Sequence, residues 1–300
     1  MDMTHNKCCR HGANLRRRRR RRRKILRSII FSYSIIAVAV FVAVGSSMIR
    51  SGDGRKNRYD VEAGNNTYDN AVIENSKISE KNKIQNNQSM LDDIMNSTQY
   101  PKQLKDLALK NEEALEFVYD YPAEHVKENT IDLTEEASMD SVPLFVQWDK
   151  RWGYEKYSGN FFAASGCGPT TLSMVVVYLT HNRDASPIAV AKYSKEAGYS
   201  VDGSGSSWTL ISEGCMHYGV KAKAVALDES RMKAELDEGH PIVVNVGPGD
   251  FTDTGHFMVI TGYDDEGFSI NDPNSIEKSG KRWLFKNISS QIRAVWSMYV

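Results

Sequence analysis

The sequence predicts an α+β domain in its C-terminal half. Two observations carry that expectation: helical patterns with their own caps come first, and short apolar runs bounded by turn residues cluster last. The first helix follows Gly166-Cys167-Gly168-Pro169 and covers residues 170–179, with Pro169 suited to the first helical position because no N–H is needed there. A second is predicted over residues 206–218, ended by Gly219. A third runs over 228–238, with Asp228 as N-cap and Gly239 just past its end. Pro241 then leads into Ile242-Val243-Val244-Asn245-Val246, which reads as a buried strand, and further strands are predicted at 257–261, 268–271 and 294–299.

The zero net charge of the 300-residue chain conceals a split. Residues 1–50 carry 11 Arg, 2 Lys and 1 Asp, a balance of +12, so residues 51–300 carry −12. Arg16 to Arg23 is an unbroken basic run, which on its own would suit nucleic acid. The uncharged stretch at 29–49 that follows argues otherwise, because a helix of that length spans roughly the 30 Å of a bilayer core. Positive charge just before a span keeps that end in the cytoplasm. The expected organisation is a basic cytoplasmic tail at 1–28, a transmembrane helix at 29–49 and an extracellular remainder, with no nucleic-acid partner. The competing reading is a secretory signal cleaved near Ala43-Val44-Gly45, and both readings place the rest of the chain outside the cell.

Residues 50–100 are expected to form a flexible spacer. In 51–90 only 10 of 40 residues are apolar, too few to offset the entropy of ordering the chain. Pro101 opens a helical stretch in which Leu104, Leu107, Ala108, Ala114, Leu115 and Val118 recur at helical spacing, interrupted by Asn111 and closed by Pro122. This segment, 101–139, is too short for a core of its own and is expected to dock on the C-terminal domain at 140–300.

Two cysteines, Cys167 and Cys215, fall in the extracellular part, too few for a disulfide framework. A bridge between them is open on sequence alone, but it would silence Cys167. Cys167 sits at a predicted helix start, where the macrodipole and free N–H groups favour a thiolate, and its flanking glycines permit close approach and unusual dihedrals. A buried structural cysteine is the plain alternative. His256, in Gly255-His256-Phe257, stands at the mouth of an apolar strand, where it can serve as general base. Asp272 ends the next strand. A five-residue loop over 262–266 would pair Thr261 with Gly267 and set His256 directly opposite Asp272, where a carboxylate can orient the imidazole. A slip of one residue would place the two on opposite faces. Cys215 reads as core and lies two residues from His217, a poor metal spacing. No zinc pattern or cofactor motif appears. Trp152, Trp208 and the loop 247–253 are candidates for the walls of a cleft.

Gln147-Trp148-Asp149, Gly166-Cys167-Gly168-Pro169-Thr170, Gly255-His256-Phe257 with Gly262-Tyr263-Asp264, and Asn271-Asp272-Pro273 together resemble the bacteriocin-leader (double-glycine) peptidases. More closely, they resemble the stand-alone surface branch of that papain-like group of bacterial cysteine peptidases. The resemblance covers residues 140–300. It implies a papain-like fold with an N-terminal helical part and a C-terminal antiparallel sheet. It also implies Cys167 as nucleophile, His256 as base and Asp272 as orienting residue. Gln147 takes the place of the family's oxyanion donor, provided that the loop 153–165 folds out, since it lies 20 residues before Cys167. Leader peptidases work beside a transporter in the cytoplasm, so double-glycine cleavage is not carried over. The expected activity is hydrolysis of a peptide or protein substrate by a membrane-anchored extracellular cysteine peptidase. A cell-wall peptide amidase or transpeptidase would use the same chemistry, and a silent peptide-binding surface module would keep the fold without it.

Overall fold

The computed structural model describes residues 67–300, with side chains from Ser79 onward. The basic tail at 1–28 and the predicted span at 29–49 lie outside the described residues. Among the described residues no helix is long and apolar enough to cross a membrane.

The core is an antiparallel six-stranded sheet: β1 (Lys221–Ala224), β2 (Ile242–Val246), β3 (His256–Asp264), β4 (Gly267–Asn271), β5 (Arg282–Trp283) and β6 (Ile292–Tyr299), in the order β1-β6-β2-β3-β4-β5. All five residues of β2 are buried because both faces of the sheet are covered. On one face Val243, Phe257, Val259 and Met298 meet helices α4 (Cys167–Thr180) and α5 (Pro187–Glu196). On the other, Ile242, Val244, Met258, Ile260 and Ile270 meet Met232 and Leu236 of α6 (Glu229–Asp237). This alternation is the two-residue period of a strand. The predicted mixture of helices and antiparallel strands is thus present. Strand β1, Lys-Ala-Lys-Ala, carried no apolar signal because it is an edge strand facing water on most positions.

Helix α6 has its expected cap, the Asp228 carboxylate accepting from Arg231 N at 3.0 Å. The helix predicted over 206–218 is different. It is one α-turn, Thr209–Ser212, then a 3-10 segment, Gly214–Tyr218. Gly214 lies against the Tyr199 ring and Leu210, which favours tight packing over helix continuity. Gly205–Ser206 instead pairs with Ser200–Val201 as a small hairpin.

The β3–β4 hairpin departs from the expected register in an instructive way. Asp264 pairs with Gly267 across a two-residue turn, not Thr261 with Gly267 across five. That tight turn alone would put His256 and Asp272 on opposite faces. The ladder then shifts by one residue between Ile260 and Gly262, leaving Thr261 as a bulge. Beyond it Val259 pairs with Asn271. The net displacement from the predicted register is two residues, which restores the common face.

The spacer expected over 50–100 needs correction within the described part, because Thr67–Asn96 is a continuous helix, α1. Its exposed stretch justified the polar reading, but its last turns carry Met90, Leu91 and Ile94, which join an apolar cluster. Composition averaged up to residue 90 missed most of that anchor. The cluster also holds Leu104 and Leu107 of α2 (Lys102–Lys110), Phe117 and Val118 of α3 (Leu115–Tyr119), and Phe161 and Ala163 from the loop before Cys167. The N-terminal helices therefore pack directly on the segment that leads into α4.

Gly267 has φ +134°, and a Cβ there would lie 2.6 Å from the Trp283 carbonyl oxygen. Gly267→Ala is expected to lower stability by about 1–3 kcal/mol, read as a fall in the urea midpoint. An unchanged midpoint would show that the turn and β5 relax freely.

Candidate active site

Cys167 is the first residue of α4, so the helix begins two residues earlier than Pro169 suggested and the proline occupies the third position. Both positions lie in the first turn, where N–H groups have no helical acceptor. The thiol therefore sits among free backbone donors. The flanking glycines serve close packing rather than unusual dihedrals: Gly166 has φ −85°. A Cβ on Gly166 would lie 2.6 Å from the Phe162 ring, and one on Gly168 would lie 2.5 Å from Ser206 Oγ.

His256 opens β3, and the helix carrying Cys167 is tied to that strand where Thr171 Oγ1 donates to the Phe257 carbonyl at 3.1 Å. His256 is 6% exposed, and its Nε2 lies 2.7 Å from Oδ1 of Asp272, which is fully buried. The Cys167 side chain interacts with the same imidazole. With Nε2 engaged by Asp272, Nδ1 is the nitrogen left for sulfur. Asp272 Oδ1 also accepts from Asn274 N at 2.8 Å, and Asp272 N donates to Ser279 Oγ at 2.9 Å.

Charge in this trio runs against burial. Desolvation is the largest influence on Cys167 and by itself raises its pKa. The bond and charge of His256, then the backbone N–H groups of Phe257 and Gly168, outweigh it and hold the thiol below its ordinary value. Desolvation is also the largest influence on His256 and disfavours the imidazolium. The Asp272 carboxylate and the Cys167 thiolate reverse this and raise the imidazole well above its ordinary value. Both directions favour a thiolate–imidazolium pair. Cys215 has no such partner: it is fully buried, unbridged, and pushed up to about 11 by desolvation.

Gln147 is 5% exposed and shares the cleft with Cys167 and His256. The loop 153–165 folds into a hairpin, Lys156–Tyr157 with Asn160–Phe161, followed by one helical turn. This brings the Ala163 carbonyl within 2.7 Å of Gln147 Nε2. Gln147 N also donates to the Pro273 carbonyl at 2.7 Å, joining it to the turn after Asp272. The 20-residue separation is thereby closed in space. Asn274 was not singled out in the sequence, although its place two residues after Asp272 in a Pro-Asn turn was a legible signal.

The cleft runs to both sides of Cys167. One side, about 500 Å³, is lined by Gln147, His256, Asn274, the loop 249–255 and Leu107 of α2. The other, about 650 Å³, is lined by Gly159, Gly203, Gly205, Trp208, Asn245 and Arg293. Of the two tryptophans proposed for its walls, Trp208 is 47% exposed and lines it, whereas Trp152 is 1% exposed and belongs to the core. Among the described residues no group of acidic, histidine and cysteine side chains is placed to hold a metal.

A model of the Peptidase_C39 like family matches residues 139–300. The chain belongs to the Peptidase_C39 like family. The likeness to bacteriocin-leader peptidases read from the Cys167 and Asp272 motifs is thereby borne out, and membership implies a cysteine peptidase acting on peptides. No curated protein matches the chain. Among solved structures, the chain is similar to the peptidase domain of Streptococcus ComA, a bi-functional ABC transporter involved in a quorum-sensing pathway. That match has 20% identity and a TM-score of 0.36, covering 45% of this chain and 90% of that one. It is also similar to a C39-like peptidase from Bacillus anthracis, at 18% identity and a TM-score of 0.33, covering 53% and 95% respectively. At these TM-scores neither likeness bears on the chemistry of this C39-like chain.

Alkylation of Cys167 by iodoacetamide should proceed well below the ordinary thiol pKa near 8.5, while Cys215 stays inert in the folded chain. In His256→Ala burial remains and the opposing charge is gone. The titration should then move up, and the rate at neutral pH should fall. Mass-spectrometric rates against pH check this; equal rates for the two cysteines in the wild type would overturn the ion pair.

Proposed function

We propose that the chain is a membrane-anchored cysteine peptidase, facing outward, that hydrolyses peptide bonds through Cys167, His256 and Asp272. The observation that carries this reading is one buried imidazole shared between a thiol and a carboxylate at the centre of an open cleft. The Cys167 thiolate adds to the scissile carbonyl carbon, and the carbonyl electron pair moves onto oxygen. The Cys167 N–H, free in the first helical turn, is one donor for that oxyanion, and Gln147 Nε2 becomes the second by giving up its longer bond, 3.3 Å to Asn274 Oδ1. The tetrahedral species collapses as the C–N bond breaks, and His256 gives its Nδ1 proton to the leaving amine. Neutral His256 then takes a proton from water, hydroxide adds to the thioester, and the thiolate leaves with release of the carboxylic acid. Asp272 holds the imidazole orientation and stabilises its charged form. Because the cleft extends on both sides of Cys167, the fitting substrate is an extended peptide cut internally.

The anchor rests on sequence alone: a basic tail before an uncharged 21-residue stretch that is long enough for a bilayer. Exterior protease added to intact cells is expected to digest an epitope at the C-terminus and spare one at the N-terminus. Protection of the C-terminal epitope would overturn the outward orientation.

Peptide-library hydrolysis tests the chemistry. Cys167→Ala should abolish turnover without unfolding the chain. Gln147→Ala should cost about 10²–10³ in kcat, with the alkylation profile of Cys167 unchanged. Full turnover by Cys167→Ala would sink the peptidase reading.

A further inference from the structure

Asn111 interrupts the apolar stripe of the N-terminal helices and lies outside the residues that match the family. Its backbone is extended, φ −136° and ψ 100°, and it separates α2 from the 3-10 turn Glu112–Ala114. Its Oδ1 accepts from Glu113 N at 3.0 Å. A backbone N–H can only donate, so this bond fixes the side-chain amide with its nitrogen turned the other way. That nitrogen reaches Asn274, donating to the main-chain oxygen at 2.9 Å and to Oδ1 at 3.1 Å. Asn274 Oδ1 in turn accepts from Gln147 Nε2 at 3.3 Å. The same Nε2 gives its other hydrogen to the Ala163 carbonyl at 2.7 Å, which can only accept. Backbone groups at both ends therefore dictate the orientation of three consecutive amides.

We infer that Asn111 is a positioning residue for Gln147, acting through Asn274 to hold the glutamine amide with Nε2, rather than Oε1, on the side where its long 3.3 Å N–H bond can be given over to the reacting carbonyl. The inference rests on the peptidase reading above. It makes the N-terminal helical segment part of the catalytic apparatus, although the segment stands ahead of the family-matched residues.

Neighbouring contacts hold the relay in place. The Glu113 carboxylate accepts from Ser275 Oγ, from Ile276 N at 2.7 Å and from Glu277 N at 3.1 Å, clamping the turn that leaves Asp272. Trp148 Nε1 donates to the Asn274 carbonyl at 3.2 Å. Leu104, Leu107 and Phe117 pack in one cluster with Phe161 and Ala163, so the residue whose carbonyl holds Gln147 is fixed by the same helices that carry Asn111. Asn274 N meanwhile donates to Asp272 Oδ1, which leaves its side chain free to serve Gln147.

The decisive variant in the full chain is Asn111→Asp. It keeps the shape and the cap on Glu113 but presents a carboxylate oxygen to Asn274, which must then turn its own amide and offer nitrogen where Gln147 needs an acceptor. On a fluorogenic peptide cleaved by the wild type, kcat should fall about ten- to hundred-fold, with KM, melting temperature and the Cys167 alkylation profile unchanged. Asn111→Gln, which keeps a donor, serves as the conservative variant and should recover part of the rate. In a Gln147→Ala background, Asn111→Asp should cost nothing further. Losses that multiply in the double variant, an unaffected kcat, or a loss that tracks melting temperature would each overturn the inference. A wild type that cleaves no peptide and alkylates slowly would instead overturn the peptidase reading and this inference with it.

Discussion

A single imidazole, enclosed by protein and shared between sulfur and a carboxylate, is the constraint around which this molecule is arranged. Burial alone would make Cys167 and His256 neutral, since removing an ion from water costs several kcal/mol even after the protein relaxes. The charged form of each favours the charged form of the other, and the Asp272 carboxylate favours the imidazolium. Such an arrangement tolerates little displacement, because its opposing contributions are both large. Much of the local architecture follows from that demand: the hydroxyl of Thr171 joining helix to strand, the glycine at 168 that lets α4 approach Ser206, and the Ser279 hydroxyl on the backbone of Asp272.

The hairpin that brings His256 to Asp272 shows how strand geometry serves that centre. A two-residue turn makes a compact hairpin but leaves the wrong parity. The bulge at Thr261 adds the one residue that restores it. Bulges near active sites commonly re-aim a side chain in this way. Here the bulge lies five residues from His256, so the correction is made in the regular part of the ladder and the reactive end is left undistorted.

Beside this trio lies a different material, a row of neutral amides. Gln147 is separated from Cys167 by a folded-out loop, and its side chain is held by groups from two other parts of the chain. The Ala163 carbonyl comes from that loop and the Asn274 side chain from the turn after Asp272, which Asn111 of the N-terminal helical segment holds in turn. Amides have no charge to attract a partner from a distance. Their orientation is secured only when each oxygen and nitrogen has an unambiguous mate.

The amino-acid sequence by itself determined several elements and the candidate reactive groups. Cys167 at a helix start, His256 at a strand start and Asp272 before a proline were all legible, because these signals are local: caps, glycines and apolar runs act over a few residues. Strands β2, β3, β4 and β6 were legible for the same reason. Tertiary structure decided the hairpin register, the split of the 206–218 helix at Gly214, the helix in 67–96 and the contacts of Asn274 and Asn111. None of these has a local cause. A bulge is chosen by packing on both faces of a sheet, the last turns of a polar helix are ordered by an apolar cluster built from distant residues, and an amide acquires its function from whatever it meets. Asn111 read in sequence as a flaw in an apolar stripe, because its partner is 163 residues away.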